Sequence, residues 1–212
     1  MPDPASRPYS VHPGVAHVQA ILRNLGTNTG RNLAGWIDAL RLADPGDEAA
    51  RRAWLKAAGL GAAQARFVAE RSLGGSTHAF DDTLEGYLRS APGYVDRQYA
   101  GRKAALRPLY EALLARGLAL GPDVKACPCE TVVPLYRQHV FAQIKAATLS
   151  RIDLALALGD PAAVQDPSGR LLDTGGFRKR DRLTHRIEVR SEGDLDATLG
   201  HWLRTAYDAD AP

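Results

Sequence analysis

Partway along this chain the apolar residues change their spacing. As far as residue 118 they recur every three or four positions; from residue 131 onward they recur at every second one. Those two periods belong to helices and to strands, and a long helical stretch followed by alternating runs predicts an α+β protein. In the first part, Val15, Val18, Ile21, Leu22 and Leu25 share one helical face. Leu33, Trp36, Ile37 and Leu40 share a second, with Thr29 or Asn32 as its cap. Asp47 caps a third helix through Trp54 and Leu55, and a fourth runs from Ala62 to Leu73 with Ala63, Phe67 and Val68 inward. Residues 15–76 are therefore expected to be a small helical domain with its core around Trp36, Trp54 and Phe67. Residues 77–100 read as a helical linker, with Phe80, Leu84 and Leu88 at helical spacing and a break at Pro92–Gly93.

Residues 101–209 read as a mainly antiparallel sheet domain packed by flanking helices. Leu106, Tyr110, Leu113, Leu114 and Leu118 mark the first helix, with Pro108 in its opening turns, where a missing N–H matters least. Val133 and Leu135, then Val140, Ala142 and Ile144, form a hairpin whose Pro134 suits an edge strand or a bulge. Ile152, Leu154, Leu156 and Leu158 face one way, and Arg151, Asp153, Ala155 and Ala157 the other. Leu183, His185, Ile187 and Val189 form a last strand, with Thr184, Arg186 and Glu188 turned away from the core. A closing helix is expected from Glu192 to about Tyr207, started by Ser191 and Asp194 at capping-box spacing. Short connections favour hairpins, so three or four strands with helices on one face are anticipated.

Composition removes several classes of function. Basic residues number 27 and acidic ones 24 in a chain of 212, a net charge of +3, which is too balanced to mark a nucleic-acid binder by itself. No run is long enough to span a membrane, and the proline-bearing start MPDPASRPYSVHPG reads as a loose arm. The two cysteines, Cys127 and Cys129, are one residue apart and poorly placed to bond to each other, which fits a reducing, cytoplasmic setting. No nucleophile elbow, phosphate loop, metalloprotease helix or dinucleotide fingerprint occurs, so the sequence names no reaction and calls for no cofactor. A Cys2His2 set from Cys127, Cys129, His139 and His185 exists only on paper, because a structural zinc site draws on two separated clusters. No metal site is expected.

Two stretches are similar to known families. TNTGRNLAGWIDAL, RRAWLKAAGLGAAQARFV and the paired Gly59 and Gly61 within residues 27–73 resemble the bacterial domain of unknown function numbered 4287. GRKAALRPLYEALLARGLALGPDV, VFAQIKAATLSRIDLALAL, Gly176–Phe177, LTHRIEV and WLRTAYDA within residues 101–209 resemble the domain of unknown function numbered 5655. The resemblance implies a cytoplasmic bacterial protein with no established enzymatic activity. This chain departs from the second family at its first hairpin: Cys129–Glu130 and Gln138–His139–Val140 stand where basic residues would be expected.

Two sets of residues are candidates for binding. Arg151 and Asp153 share a face, and Arg186 lies on what would be a neighbouring strand, with Lys145 and His185 nearby in the pattern. They form either a surface ion-pair ladder or a groove in which the cations meet an anionic ligand while Asp153 orients them. His185 shares its parity with Ile187 and Val189, so burial competes with a functional role for it. The second set is Arg178, Lys179, Arg180 and Arg182 in a stretch, 178–190, holding six basic and two acidic residues after a glycine pair. The expected function is a non-enzymatic binding or adaptor protein for an anionic small molecule or a protein partner. The alternative is weak nucleic-acid binding through 178–190. No membrane partner is expected.

Overall fold

The computed structural model describes residues 9–74 and 83–212. It consists of two compact units: Val11–Ser90, and Ala91–Pro212 together with the N-terminal segment that ends at Ser10. The first unit holds α1 (Pro13–Arg23), α2 (Leu25–Thr29), α3 (Leu33–Ala43), α4 (Glu48–Ala57) and α5 (Ala62–Ser72). Asn32 caps α3 by accepting from the Gly35 N–H, and Asp47 caps α4 by accepting from Ala50. Thr29, the other candidate cap, instead ends α2. Its hydroxyl donates to the Leu25 carbonyl at 2.7 Å and accepts from the Trp36 indole at 2.8 Å.

Leu25, Trp36, Leu40, Leu55, Leu60, Ala65, Val68 and Ala69 form the core of this unit, with Trp54 packed against it edge-on to Trp36. Phe67 is buried outside that cluster, and Ala63 is exposed, so the inward stripe of α5 runs through Ala65 and Ala69 rather than Ala63. The glycine pair is explained by packing. Gly59 takes a left-handed φ of 100°, which turns the buried Leu60 into the core.

Helix α6 (Leu84–Gln98) continues through Pro92–Gly93, where a break was expected. Tyr87, Ala91, Tyr94, Val95 and Gln98 are buried along one helical stripe, and that packing outweighs one missing N–H. The carbonyl that would have received it belongs to Leu88, which is 40% exposed and open to water. Phe80 lies outside the described residues.

The second unit continues through a 3-10 turn (Gly101–Leu106) into α7 (Arg107–Leu118), with Pro108 in its first turn as anticipated. The strands are β1 (Lys125–Ala126), β2 (Val133–Tyr136), β3 (Val140–Ala146), β4 (Ile152–Leu156), β5 (Leu172–Asp173) and β6 (His185–Val189), and α8 (Ala197–Ala209) closes the chain. They make one sheet in the order β1-β2-β3-β4-β6-β5, with every neighbouring pair antiparallel. The protein is therefore α+β: an N-terminal helical unit, then an antiparallel sheet packed by flanking helices. Six strands replace the three or four anticipated because β1 and β5 are two residues each, too short to show any period. The end of the supposed loose arm is tied to this sheet: the Ser10 N–H donates to the Ala126 carbonyl at 2.8 Å, and Tyr9 bridges Ala126 in parallel.

Pro134 sits on an interior strand, β2, between β1 and β3, and the bulge next to it belongs to the partner strand β3, so neither alternative holds for its own strand. Leu135 pairs with Ala142 but Tyr136 pairs with Val140, so Phe141 is an extra residue. The bulge lets Phe141 and Ala142 both point inward, and the Phe141 ring meets Tyr207 of α8 edge-on at 5.6 Å. Ser191 and Asp194 do form a capping box, but over a single 3-10 turn (Glu192–Asp194). Helix α8 starts later, at Ala197, capped by Asp196 accepting from Leu199. Helices α7 and α8 cover the sheet face that carries Ala142, Ile144, Ile152, Leu154, Leu156, Ile187 and Val189. Each large aliphatic side chain buried there contributes about 1.5–3 kcal/mol. That exceeds what an exposed ion pair on the other face supplies, roughly 0–1 kcal/mol, so the helix-covered face holds the sheet in shape.

Candidate functional site

The strand register brings Arg151, Asp153, Lys145 and Arg186 onto the uncovered face of the sheet. Asp153 pairs with Lys145 on β3 and with Glu188 on β6, so two carboxylates stand directly opposite one another. Like charges in that position repel. Two arginines resolve the conflict by bridging both acids. Arg151 reaches Asp153 through Nε at 2.8 Å and Glu188 through Nη1 at 2.7 Å. Arg186 reaches Asp153 at 2.7 Å and Glu188 at 3.4 Å, and Arg190 closes on Glu188 at 2.8 Å.

The Arg151 and Asp153 side chains are only 19% and 15% exposed, so this network is partly withdrawn from solvent. The Arg190 hydrogen bond, with Arg151 and Arg186 close by, holds the Glu188 carboxyl below the usual carboxylate range. Lys145 is exposed and makes no ion pair among the described residues. This is the geometry of the ladder alternative: each arginine offered for an anionic ligand already has two carboxylate partners.

His185 stands apart from this set. It is 4% exposed on the helix-covered face, with Nδ1 2.9 Å from the Thr184 hydroxyl. Burial holds its imidazole below the ordinary value, against the opposing charge of Asp173. Thr184, expected to face outward, is buried as well and also accepts from the Leu158 N–H.

The basic stretch divides in two. Arg182 is part of a clasp on the C-terminus: its Nε donates to the Val140 carbonyl at 3.0 Å and its Nη2 to the buried Asp210 carboxylate. Asp210 also accepts from the His139 backbone N–H at 2.8 Å and lies 3.0 Å from His139 Nδ1. No sequence signal pointed to this clasp, because its members are 28 and 71 residues apart.

Arg178, Lys179 and Arg180 are exposed, and none of them makes an ion pair or a side-chain hydrogen bond among the described residues. The turn that presents them is tightly built. The Lys179 and Asp181 N–H groups both donate to the Gly176 carbonyl, and the Arg180 N–H donates to Phe177. Gly176 is buried, and a Cβ there would lie 2.7 Å from the Leu183 carbonyl oxygen. Arg180 itself takes a left-handed φ of 58°, a conformation that costs an L-residue roughly 1–2 kcal/mol.

Phe177, at the start of the turn, is 48% exposed and separates two hollows. The larger, about 640 Å³, has Ala157, Leu158 and Ala209 as apolar walls with Arg180 and Asp181 at its side. The smaller, about 150 Å³, is bordered by Asp160, Asp173 and Arg178. The larger hollow carries no sequence signal; Phe177 does, since it and Tyr136 are aromatics able to stack on bases, though two are too few to count as interleaving with the basic run.

The two cysteines are not poised for chemistry. Burial pushes the Cys127 thiol up to about 12 and raises Cys129 as well. No group of three or more histidine, cysteine or acidic side chains able to hold a metal occurs among the described residues. No described helix is long and apolar enough to cross a membrane.

No curated protein and no solved structure matches the chain. A family pattern does match, over residues 95–210, and these include the whole sheet, both helices that cover it, the ion-pair network and the Phe177 turn. That match takes in more than half of the chain, which belongs to the family of the domain of unknown function DUF5655.

Proposed function

We propose that this protein is a non-enzymatic binding module whose sheet unit takes an anionic ligand or partner at the turn formed by Phe177, Arg178, Lys179 and Arg180. The observation that carries this reading is the division of the basic stretch. Arg182, Arg186 and Arg190 are spent on Asp210, Asp153 and Glu188, whereas the three cations of the turn have no carboxylate partner among the described residues. Closely spaced uncompensated cations on a rigid turn attract anions, and they do so with little ordering cost on binding. The helical unit, similar over residues 27–73 to the bacterial domain of unknown function 4287, serves in this reading as a second interaction module. The setting we infer is the bacterial cytoplasm, where two unlinked thiols stay reduced.

The test is binding of inorganic polyphosphate to the full chain at low and moderate salt, with the triple variant Arg178→Ser, Lys179→Ser, Arg180→Ser as comparison. Binding that weakens with salt and falls about tenfold or more in the variant supports the reading. Equal binding by the folded variant, or no binding by the parent chain, overturns it.

A further inference from the structure

We infer that the anion taken by this turn is a phosphorylated aromatic base, a nucleotide unit, with its ring in the larger hollow against Phe177 and its phosphate on Arg180. The inference rests on the anion-binding reading above and adds the part of the ligand that is not charged. Phe177 is a large aromatic left 48% exposed immediately before three cations, and it lines a hollow whose walls include the apolar Ala157, Leu158 and Ala209 beside the polar Arg180, Asp181, Arg182 and Thr184. About 640 Å³ is room for a planar ring system and a sugar. A purely inorganic anion would use the cations and leave that apolar surface wet. A nucleotide uses both, since aromatic side chains stack on bases whatever their identity.

Charge fixes which hollow takes the phosphate. The smaller one sets two carboxylates, Asp160 and Asp173, against the single cation Arg178, so its border repels a phosphate on balance. In the larger one the acidic neighbour Asp181 already accepts from the Leu183 N–H, and Arg180 makes no ion pair among the described residues. The turn is also preformed, closed by backbone bonds on the Gly176 carbonyl. Arg180 holds a left-handed conformation that glycine adopts freely, so the chain presents a guanidinium at a position where its backbone favours glycine.

The experiment compares three probes on the full chain: adenosine monophosphate, a six-nucleotide single-stranded oligoadenylate and inorganic polyphosphate. Phe177→Ala is expected to weaken oligoadenylate binding about tenfold, the loss of one stacked base, while polyphosphate binding changes less than about twofold because the charge contacts persist. Arg180→Gly is expected to weaken all binding while the melting temperature holds or rises, which separates lost contact from lost fold. Comparable affinity for the monophosphate and the oligomer identifies a free nucleotide as the source; binding of the oligomer alone identifies a strand. Equal effects of Phe177→Ala on oligoadenylate and polyphosphate, or no effect on either, overturn the inference and leave the anion reading intact. Failure of the parent chain to bind any of the three overturns both.

Discussion

The uncovered face of the sheet and the Phe177 turn are both rich in arginine, and they use that residue in opposite ways. On the sheet, Arg151 and Arg186 each bridge Asp153 and Glu188, and Arg190 pairs with Glu188, so all three arginines are answered inside the molecule. On the turn, Arg178, Lys179 and Arg180 stand in solvent without a partner among the described residues. A count of basic residues treats the two regions alike. What separates them is the register of the strands and a single tight turn, so availability for a ligand depends on local backbone geometry more than on composition.

The sharpest way to break that contrast is to unbalance the sheet. Asp153→Ala removes the acid that two arginines share and leaves both partly buried without it. Because solvent still reaches the site, we expect a loss of about 1–3 kcal/mol, below the cost of breaking a fully buried pair, read as a lower denaturant midpoint with an unchanged slope. Next comes Gly176→Ala. A Cβ at 2.7 Å from the Leu183 carbonyl oxygen must displace the turn, and a destabilisation of about 1–2 kcal/mol is expected together with weaker anion binding.

Acid separates the regions in a different way. His185 has a depressed folded value, so the unfolded chain takes up its proton first and stability declines as pH falls below 6.5. Glu188 is held low by its arginines, and Asp194 by the N–H groups of Arg190 and Ser191. Their stabilisation is present above the ordinary carboxylate range and is lost as pH drops through and below it. A melting series should therefore show a mild slope below 6.5 and a steeper one below about pH 4, and His185→Asn should remove only the first. The smallest effect belongs to the turn: the triple serine variant should move stability by less than about 0.5 kcal/mol. A large fall in its melting temperature would show that those cations hold the fold, and the contrast would collapse.

The long periodic elements were legible from sequence because burial repeats along them: Ile152, Leu154 and Leu156 face in, as their alternation says. The alternation also placed Arg151, Asp153 and Arg186 on one surface. It gave no hint that Glu188 would stand opposite Asp153, since register is set by pairing between strands. Helix α6 was read as broken because Pro92–Gly93 is a strong local signal, and the stripe of Tyr87, Ala91, Tyr94 and Val95 overrode it. The start of α8 was placed too early for a similar reason: a genuine capping box at Ser191 was spent on one 3-10 turn. The Arg182–Asp210 clasp and the hollow beside Phe177 join segments far apart in sequence, where no local pattern reaches.

Helix α6 also decides how the molecule can be divided. Val95 and Tyr99 belong to the same apolar cluster as the sheet strands and α7, and the stacked rings of Tyr99 and Tyr110 are 4.7 Å apart. A fragment starting at Gly101 would lose both side chains and expose the ring of Tyr110, inviting aggregation during expression. Cleavage ahead of Ala91 keeps both, but it still removes Tyr9, which packs on the same cluster, and Ser10, which bonds to Ala126. A piece that carries the whole sheet unit therefore needs the N-terminal segment as well, and its upstream cut falls within a helix, ahead of the glycine that the sequence pattern alone would suggest.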